Sequence, residues 1–261
     1  MSHRPRKRFG QNFLHDQSVI EHILDCVDPR PAQHLVEIGP GQGALTLGLL
    51  RRAGELDAIE LDRDLLDPLK RRCATVGELH LHNADALKFD FRGLRNDERQ
   101  LRLVGNLPYN ISTPLLFHLI EQADAIADMH FMLQKEVVDR MAAVPGGRTY
   151  GRLSVMLQVS CAVTPLFDIG PESFDPPPKV DSSVVRLQPL VAPLVDTQHM
   201  PTFAALVSSA FAQRRKTLRN NLKGVLDASR IEALGIDPGC RTETLSVQDL
   251  IRLHDATLSA G

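Results

Sequence analysis

Short strand-like runs and helix-like runs alternate between residues 34 and 143, and this alternation restricts the fold more than any other feature of the chain. The run 56–61 is short and largely apolar, whereas the run 62–74 follows a helix-capping Asp62. Such an alternation is typical of a parallel sheet with helices on both of its faces. The predicted strands are 34–39, 56–61, 79–84, 101–106 and 129–134, and the predicted helices are 17–28, 44–53, 62–74, 112–121 and 135–143.

The pattern changes after residue 143. A Gly-rich run at 146–151 predicts a mobile loop, and 163–169 and 183–190 predict two further strands that a Pro-rich segment joins. Helical patterns replace strand patterns from about residue 193 onward. We therefore predict an α/β domain over 1–192, which begins with a flexible basic arm at 1–10, and a small all-helical C-terminal domain over 193–261.

The composition is that of a soluble globular protein, because 43% of the 261 residues are hydrophobic and 24% are charged. The longest uncharged stretch, 153–167, is shorter than the roughly 18 apolar residues that a membrane helix needs. Cys26, Cys73, Cys161 and Cys240 form no C-x-x-C pair and have no neighbouring His cluster, which argues against a zinc site and a disulfide scaffold. We expect a cytoplasmic monomer with no metal site and no membrane partner.

Two basic clusters interrupt a chain whose net charge is only −2. The first lies in residues 1–15 and the second in 211–223, and neither contains an acid. Local basic clusters on a near-neutral chain indicate a surface for a polyanion, although a charge run is also typical of an ordinary solvated face. The basic residues concerned are Arg4, Arg6, Lys7, Arg8, Arg214, Arg215, Lys216, Arg219 and Lys223.

Glycines and acids follow the first three predicted strands of the alternating region. Gly39 and Gly41 allow a tight turn that a ligand can approach closely, and with Ala44 they also satisfy the dinucleotide pattern G-x-G-x-x-A. A carboxylate at Glu60 can accept both hydroxyls of a ribose, and one at Asp85 can accept an adenine amino group. An NAD-dependent oxidoreductase explains Glu60 but not Asp85, which could also be a helix cap.

The fourth strand is followed by Asn106, Leu107, Pro108 and Tyr109. The Asn106 side-chain carbonyl and a backbone carbonyl in the turn can each accept a hydrogen bond from one NH2 group. The ring of Tyr109 offers a face for stacking on a base. This arrangement suits a planar heterocyclic amine, while an ordinary strand-to-helix turn would contain the same residue types.

In this order, the motifs resemble the ribosomal RNA adenine dimethyltransferase family, and within it the enzymes of the small subunit. Four further blocks carry the narrower resemblance: 6–14, 128–137, 174–182 and 211–220. The resemblance covers nearly the whole chain. It implies a Rossmann-like S-adenosylmethionine methyltransferase sheet. It also implies dimethylation of two adjacent adenosines in a 3′-terminal hairpin loop of 16S rRNA, with a role in small-subunit biogenesis.

The resemblance also implies a role for each matching residue. Asn106 and the Pro108 carbonyl would hold the target amine, with Tyr109 on one face of the base and Phe174 on the other, although Phe174 could instead be a core ring below the prolines. The arginines and lysines named above, Lys223 excepted, would bind RNA phosphates. The residues that would contact S-adenosylmethionine are Asn12, Leu14, Gly39, Gly41, Glu60, Asp85 and Asn106.

Several other functions share parts of these motifs. A DNA adenine methyltransferase usually has Pro where Leu107 stands and needs a DNA-recognition region, so we expect no DNA partner. A large-subunit rRNA methylase of the antibiotic-resistance type shares the fold and the turn and is the main alternative. A non-catalytic ribosome assembly factor is another. The order and processivity of methylation, and the assembly intermediate that serves as substrate, stay open at this point.

Overall fold

The computed structural model describes residues 12–95 and 97–258. Within these ranges the strands are β1 (Phe13–Leu14), β2 (His34–Ile38), β3 (Glu55–Glu60), β4 (Glu78–Asn83), β5 (Leu101–Asn106), β6 (Ile126–Gln134), β7 (Cys161–Ile169), β8 (Phe174–Asp175) and β9 (Ser182–Pro189). The helices are α1 (Gln17–Val27), α2 (Thr46–Ala53), α3 (Arg63–Cys73), α4 (Ser112–Ile120), α5 (Lys135–Met141), α6 (Arg152–Gln158), α7 (Met200–Ala210), α8 (Leu218–Asn221), α9 (Ala228–Ala233) and α10 (Val247–Leu258).

Among the described residues, seven strands form one sheet in the order β4-β3-β2-β5-β6-β9-β7. The strands from β4 to β6 are parallel to their neighbours, and β9 runs antiparallel to β6. The carboxyl ends of the five parallel strands therefore lie along one edge of the sheet. The predicted α/β sheet flanked by helices is confirmed, and the five predicted strands between residues 34 and 134 are present with small shifts at their ends.

Two kinds of element were not predicted. The helix α6 occupies a stretch with no predicted structure, and residues Leu153 to Leu157 within it are all buried. A helix that is buried all round has no polar face and therefore no visible period. The two-residue strands β1 and β8 pair with each other across about 160 residues of sequence, which no local pattern reveals.

The hydrophobic core of the sheet domain begins with α1. The Asp16 side chain caps this helix by accepting the backbone N–H groups of Ser18 and Val19. The buried face of α1, which includes Ile23 and Leu24, then packs in one cluster with buried residues of β2 and α2. This packing holds in place the segment before the sheet, where the described part of the chain begins.

The chain folds into two compact units, whose described parts are 12–95 and 97–138 with Thr164–Pro189, and Asp139–Val163 with 190–258. The second unit thus takes α6 and the end of α5 in addition to the helices that follow residue 190. In it, α7 packs against α10, and Phe203 and Leu250 are fully buried. The boundary at 192/193 stays a prediction. Among the described helices, none is both long enough and apolar enough to cross a membrane.

Candidate functional site

A cavity of about 370 Å³ lies at the carboxyl edge of the parallel strands, within the first unit. It is bounded by the ends of β2, β3, β4 and β5 and by the short strand β1. The structure brings together here every residue that we predicted to contact a cofactor, together with two further residues that we predicted to bind the base. These lining residues are Asn12, Leu14, Gly39, Gly41, Glu60, Asp85, Asn106, Pro108 and Tyr109.

The turn after β2 requires glycine. Gly39 and Gly41 have φ angles of +68° and +57°, in the left-handed region that side chains disfavour. A Cβ atom at Gly41 would also lie 3.3 Å from the Phe13 ring. The turn is therefore held open on its cavity side, and backbone atoms rather than side chains face a ligand.

Glu60 fixes the far side of that turn. Its carboxylate accepts the backbone N–H of Gly41 at 3.1 Å and that of Asp62 at 2.8 Å. The side chain is buried, and this burial raises the pKa of its carboxyl. Two carboxylate oxygens have about four lone-pair sites, so Glu60 can still accept bonds from two hydroxyls.

Glu37, near the end of β2, was not predicted to have a role of its own. It lines the same cavity, is 2% exposed, and accepts a hydrogen bond from the Thr46 hydroxyl at 2.6 Å. Burial, together with the nearby Glu60, raises the pKa of its carboxyl to about 8 against the opposing effect of the Thr46 hydrogen bond. The sequence signal was available, since an acid ends each of three successive strands.

Asp85 caps a turn and also lines the cavity, so its predicted contact with adenine stays a prediction. Its Oδ1 accepts the backbone N–H of Leu87 at 3.0 Å, which is the capping interaction. The same side chain is only half-buried and lines the cavity. A carboxylate that caps a turn through one oxygen retains lone pairs for a ligand.

The Asn106 turn is held by three hydrogen bonds. Asn106 Nδ2 donates to the backbone carbonyl of Asn12 at 3.2 Å, and Leu107 N donates to the Met132 carbonyl at 3.1 Å. The Pro108 carbonyl accepts the Ile111 N–H at 3.1 Å and keeps one lone pair. Because its NH2 group is engaged by Asn12, Asn106 has its carbonyl oxygen left as an acceptor.

The two predicted stacking rings lie in different surroundings. Tyr109 lines the cavity, and its hydroxyl is hydrogen-bonded to the Ser182 hydroxyl at 2.7 Å. Phe174 is 3% exposed, packs in the hydrophobic core and does not line the cavity. Its stacking role stays a prediction.

Among the cavity-lining residues that were not predicted are two large apolar side chains. Phe13 packs beside the Gly41 turn, and Leu61 is 53% exposed directly after Glu60. An exposed leucine that lines the cavity is suited to contact a flat ring. The signal in the sequence was an apolar residue that immediately follows a strand-end acid.

The predicted phosphate-binding residues of the second unit, Arg214, Arg215, Lys216 and Arg219, are all exposed. Arg214 donates to the Arg148 carbonyl, and its Nε lies 3.7 Å from Glu243 Oε1. Arg241 donates to the Arg215 carbonyl. The basic arm with Arg4, Arg6, Lys7 and Arg8 lies outside the described residues.

Comparison with known proteins gives a consistent result. A family model described as ribosomal RNA adenine dimethylase matches residues 2–257. The ribosomal RNA small subunit methyltransferase A of Nitrosococcus oceani is 58% identical over 260 residues, which are 100% of this chain and 98% of that protein. The protein of the same name from Methylococcus capsulatus is 58% identical over 253 residues, which are 97% of this chain and 98% of that protein.

Solved structures share the fold. A dimethyladenosine transferase from Plasmodium falciparum has a TM-score of 0.81 at 26% identity, over 92% of this chain and 95% of that chain. The 23S rRNA methyltransferase ErmE has a TM-score of 0.74 at 24% identity, over 94% of this chain and 98% of that chain. The sheet is therefore a Rossmann-like methyltransferase sheet, as predicted.

Proposed function

This chain belongs to the ribosomal RNA adenine dimethylase family, and we propose that it is an S-adenosylmethionine-dependent dimethyltransferase of 16S rRNA. Its substrate would be the exocyclic amines of two adjacent adenosines in a 3′-terminal hairpin loop. One observation carries the proposal. The cofactor residues and the Asn106 acceptor turn, predicted from separate parts of the sequence, line a single cavity.

The cavity suits S-adenosylmethionine, which supplies a methyl group on a positively charged sulfur. Glu60 would accept the ribose hydroxyls, Asp85 the adenine amino group, and the open turn at Gly39 and Gly41 would pass the methionine portion. Within the described residues, no Lys, Arg or His forms an ion pair with Glu37 or Glu60. Because no protein cation neutralises these two buried acids, a ligand that is itself cationic would stabilise their ionised forms.

The target amine is a poor nucleophile because its lone pair is delocalised into the ring. Asn106 Oδ1 and the free lone pair of the Pro108 carbonyl would accept its two hydrogens, which directs the nitrogen lone pair toward the methyl group. The main contribution of the protein is then alignment of the two reactants and exclusion of water. A general base is not required, because the nitrogen becomes acidic once it is methylated.

A base can reach this cavity only when it is unstacked, and single-stranded loops supply such bases. Arg214, Arg215, Lys216 and Arg219 are exposed and would bind phosphates of the small-subunit RNA, with an affinity that falls with salt. We place the enzyme in the cytoplasm as a monomer. A second role in small-subunit biogenesis, in which the protein leaves once methylation is complete, predicts that Asn106→Ala stays bound longer than wild type.

The main alternative is methylation of 23S rRNA. The two relatives that are 58% identical are named for the small subunit. The 23S enzyme ErmE is 24% identical, which supports the shared fold only. The small-subunit proposal is therefore the better supported of the two.

The direct test is transfer of labelled methyl groups to unmethylated small subunits, with nucleoside mass spectrometry of the product. We expect dimethyladenosine with the wild-type protein and none with Asn106→Ala. Gln100→Ala, which removes an exposed amide of the same first unit, is the matched control and should keep activity. Product on free 23S rRNA but not on small subunits would support the alternative, and tight subunit binding without product would indicate a non-catalytic assembly factor.

A further inference from the structure

Ser182 is the first residue of β9, and its side chain reaches the candidate base site without lining the cavity itself. It is fully buried, and its hydroxyl lies 2.7 Å from the hydroxyl of Tyr109. We propose that Ser182 is a positioning residue that holds the Tyr109 ring where the target base stacks. This inference rests on the proposed function and assigns a role to a residue that does not touch the base.

The start of β9 is a rigid support. Ser182 pairs with Gln134 in the antiparallel ladder of β6 and β9. The backbone N–H of Lys135 donates to the Asp181 carbonyl at 2.9 Å, one residue before Ser182. The anchor of the Tyr109 hydroxyl is therefore fixed by sheet pairing on one side and by the start of α5 on the other.

The other end of the Tyr109 ring is attached to the Asn106 turn. That turn is fastened to β6 by the bond from Leu107 N to the Met132 carbonyl, and the Ser112 hydroxyl donates to the Tyr109 carbonyl at 3.1 Å. Tyr109 thus spans from a turn on β5 to the first residue of β9. Both ends depend on β6, which lies between these two strands in the sheet.

The position of the hydroxyl determines what the bond can do. The phenol oxygen lies on the axis about which an aromatic ring flips, so a bond there fixes the direction of the ring but not its rotation about that axis. A base that stacks on a ring of fixed direction is held at a constant distance from Asn106 and Pro108. Since small misplacements of reacting groups lower rates strongly, this bond would act on the methyl-transfer step.

Ser183 provides a matched control within the same strand. It is 2% exposed, and its hydroxyl donates to the Phe167 carbonyl at 3.2 Å. Successive side chains of a strand point to opposite faces of the sheet, so Ser183 points away from Tyr109. Removing its hydroxyl deletes a buried hydrogen bond of the same kind without touching the Tyr109 contact.

The test is single-turnover methyl transfer to unmethylated small subunits by wild type, Ser182→Ala, Tyr109→Phe and the double variant. Each single variant should be slower by about 3- to 10-fold, as expected for one neutral hydrogen bond. The double variant should be no slower than the singles, because both remove the same bond. Affinity for S-adenosylhomocysteine should not change. Tyr109→Ala should lose about 10- to 100-fold, because it removes the stacking ring as well.

Ser183→Ala should keep the wild-type rate, with at most a lower midpoint of thermal unfolding. The inference would be overturned if the rate losses of Ser182→Ala and Tyr109→Phe multiplied in the double variant. An equal loss of rate in Ser183→Ala would also overturn it. Tyr109→Phe keeps the ring, so this arm reports on the bond even if Ser182→Ala folds poorly. Wild-type protein that transfers no methyl group to any rRNA would overturn the proposed function, and with it this inference. If the wild type is active but the two single variants lose rate independently of each other, only the inference is overturned.

Discussion

In the amino half of the parallel sheet, the buried carboxylates Asp57 and Asp128 are paired with histidine or arginine side chains, whereas Glu37 and Glu60 at the carboxyl edge have only hydroxyl and backbone amide partners. In the amino half, Asp57 is bonded to His34 at 2.9 Å and to His82 at 2.6 Å. Asp128 is bonded to Arg102 at 2.9 Å and to Arg186 at 3.2 Å. The hydrogen bonds from both histidines outweigh burial and lower the pKa of Asp57.

At the carboxyl edge, burial acts without such compensation. Glu37 has the Thr46 hydroxyl as a partner, and Glu60 has backbone N–H groups, so burial raises the pKa of both carboxyls. Carboxylates that are neutralised by protein cations have no net charge left for a ligand, and we expect them to stabilise the fold. Acids that are buried but paired with no cation cost stability, and such sites are typical of binding and catalysis. Under the proposed function, the contrast separates charges that stabilise the fold from charges that bind a ligand within one sheet.

The largest effect that we expect tests the amino half. Asp128→Ala should lower the free energy of unfolding by about 3–5 kcal/mol, because it leaves Arg102 as a buried cation without its carboxylate. Urea denaturation measures this loss. The affinity of the folded protein for S-adenosylhomocysteine, measured by calorimetry, should be unchanged.

Asp124→Ala is the matched control for Asp128→Ala. Asp124 pairs with Arg92, but the two side chains are 65% and 48% exposed, so the loss should be about 0–1 kcal/mol. A weakened affinity for S-adenosylhomocysteine in Asp128→Ala, with little loss of stability, would show that the amino half is not purely structural.

At the carboxyl edge we expect a smaller effect, which concerns ligand affinity rather than stability. Glu60→Gln should weaken S-adenosylhomocysteine binding by about 1.5–3 kcal/mol, as expected for hydrogen bonds to a charged group. Its free energy of unfolding should stay the same or rise, because a buried acid with a raised pKa is removed. Calorimetry and urea denaturation measure the two quantities.

Glu55→Gln, at the other end of the same strand, should change neither quantity, since its side chain is 50% exposed and outside the cavity. The contrast between the two edges would be broken if Glu60→Gln lost stability and kept its affinity.

Much of the carboxyl edge could be predicted because its signals are local. Glu60 and Asp85 each follow a recognisable strand, and parallel strands bring their ends to one edge of a sheet. Contacts between distant segments could not be predicted in this way. The bond from Asn106 to Asn12 spans 94 residues, and the bond from Tyr109 to Ser182 spans 73. The place of Phe174 in the core likewise depends on its pairing with Leu14 in the β1–β8 ladder.

The ion pairs of the amino half were not predicted, because the residues that form them are far apart in the sequence. Arg102 lies in one predicted strand, whereas Asp128 directly precedes another, and only the register of β5 with β6 places them side by side. Hydrophobic periodicity reports which face of a strand is buried, but it does not report which polar residues meet across strands. Structural ion pairs of this kind are therefore harder to predict than a site whose residues all follow strand ends.

The most gradual effect, a slope with pH, sharpens the contrast further. The unfolded chain loses the Glu37 proton near pH 4.5, whereas the folded protein keeps it until about pH 8. The folded state binds more protons in this window, so stability falls as pH rises, by at most about 1.4 kcal/mol per pH unit. His130, which lies beside Asp128, has the opposite effect, because burial lowers the pKa of its ring to about 4 from 6.5 and stability falls as pH falls through that window.

Glu37→Gln removes only the first of these slopes. The variant should therefore be more stable than wild type by a margin that grows from pH 5 to pH 8, while the loss of stability below pH 6 persists because His130 is unchanged. Urea denaturation at pH 5, 6, 7 and 8 measures the margin, with Glu55→Gln as the control for the same chemical change. A margin that stays constant with pH would mean that Glu37 ionises in the folded protein much as it does in the unfolded chain. The carboxyl edge would then lack the buried, protonated carboxyl group of Glu37 that distinguishes it from the amino half.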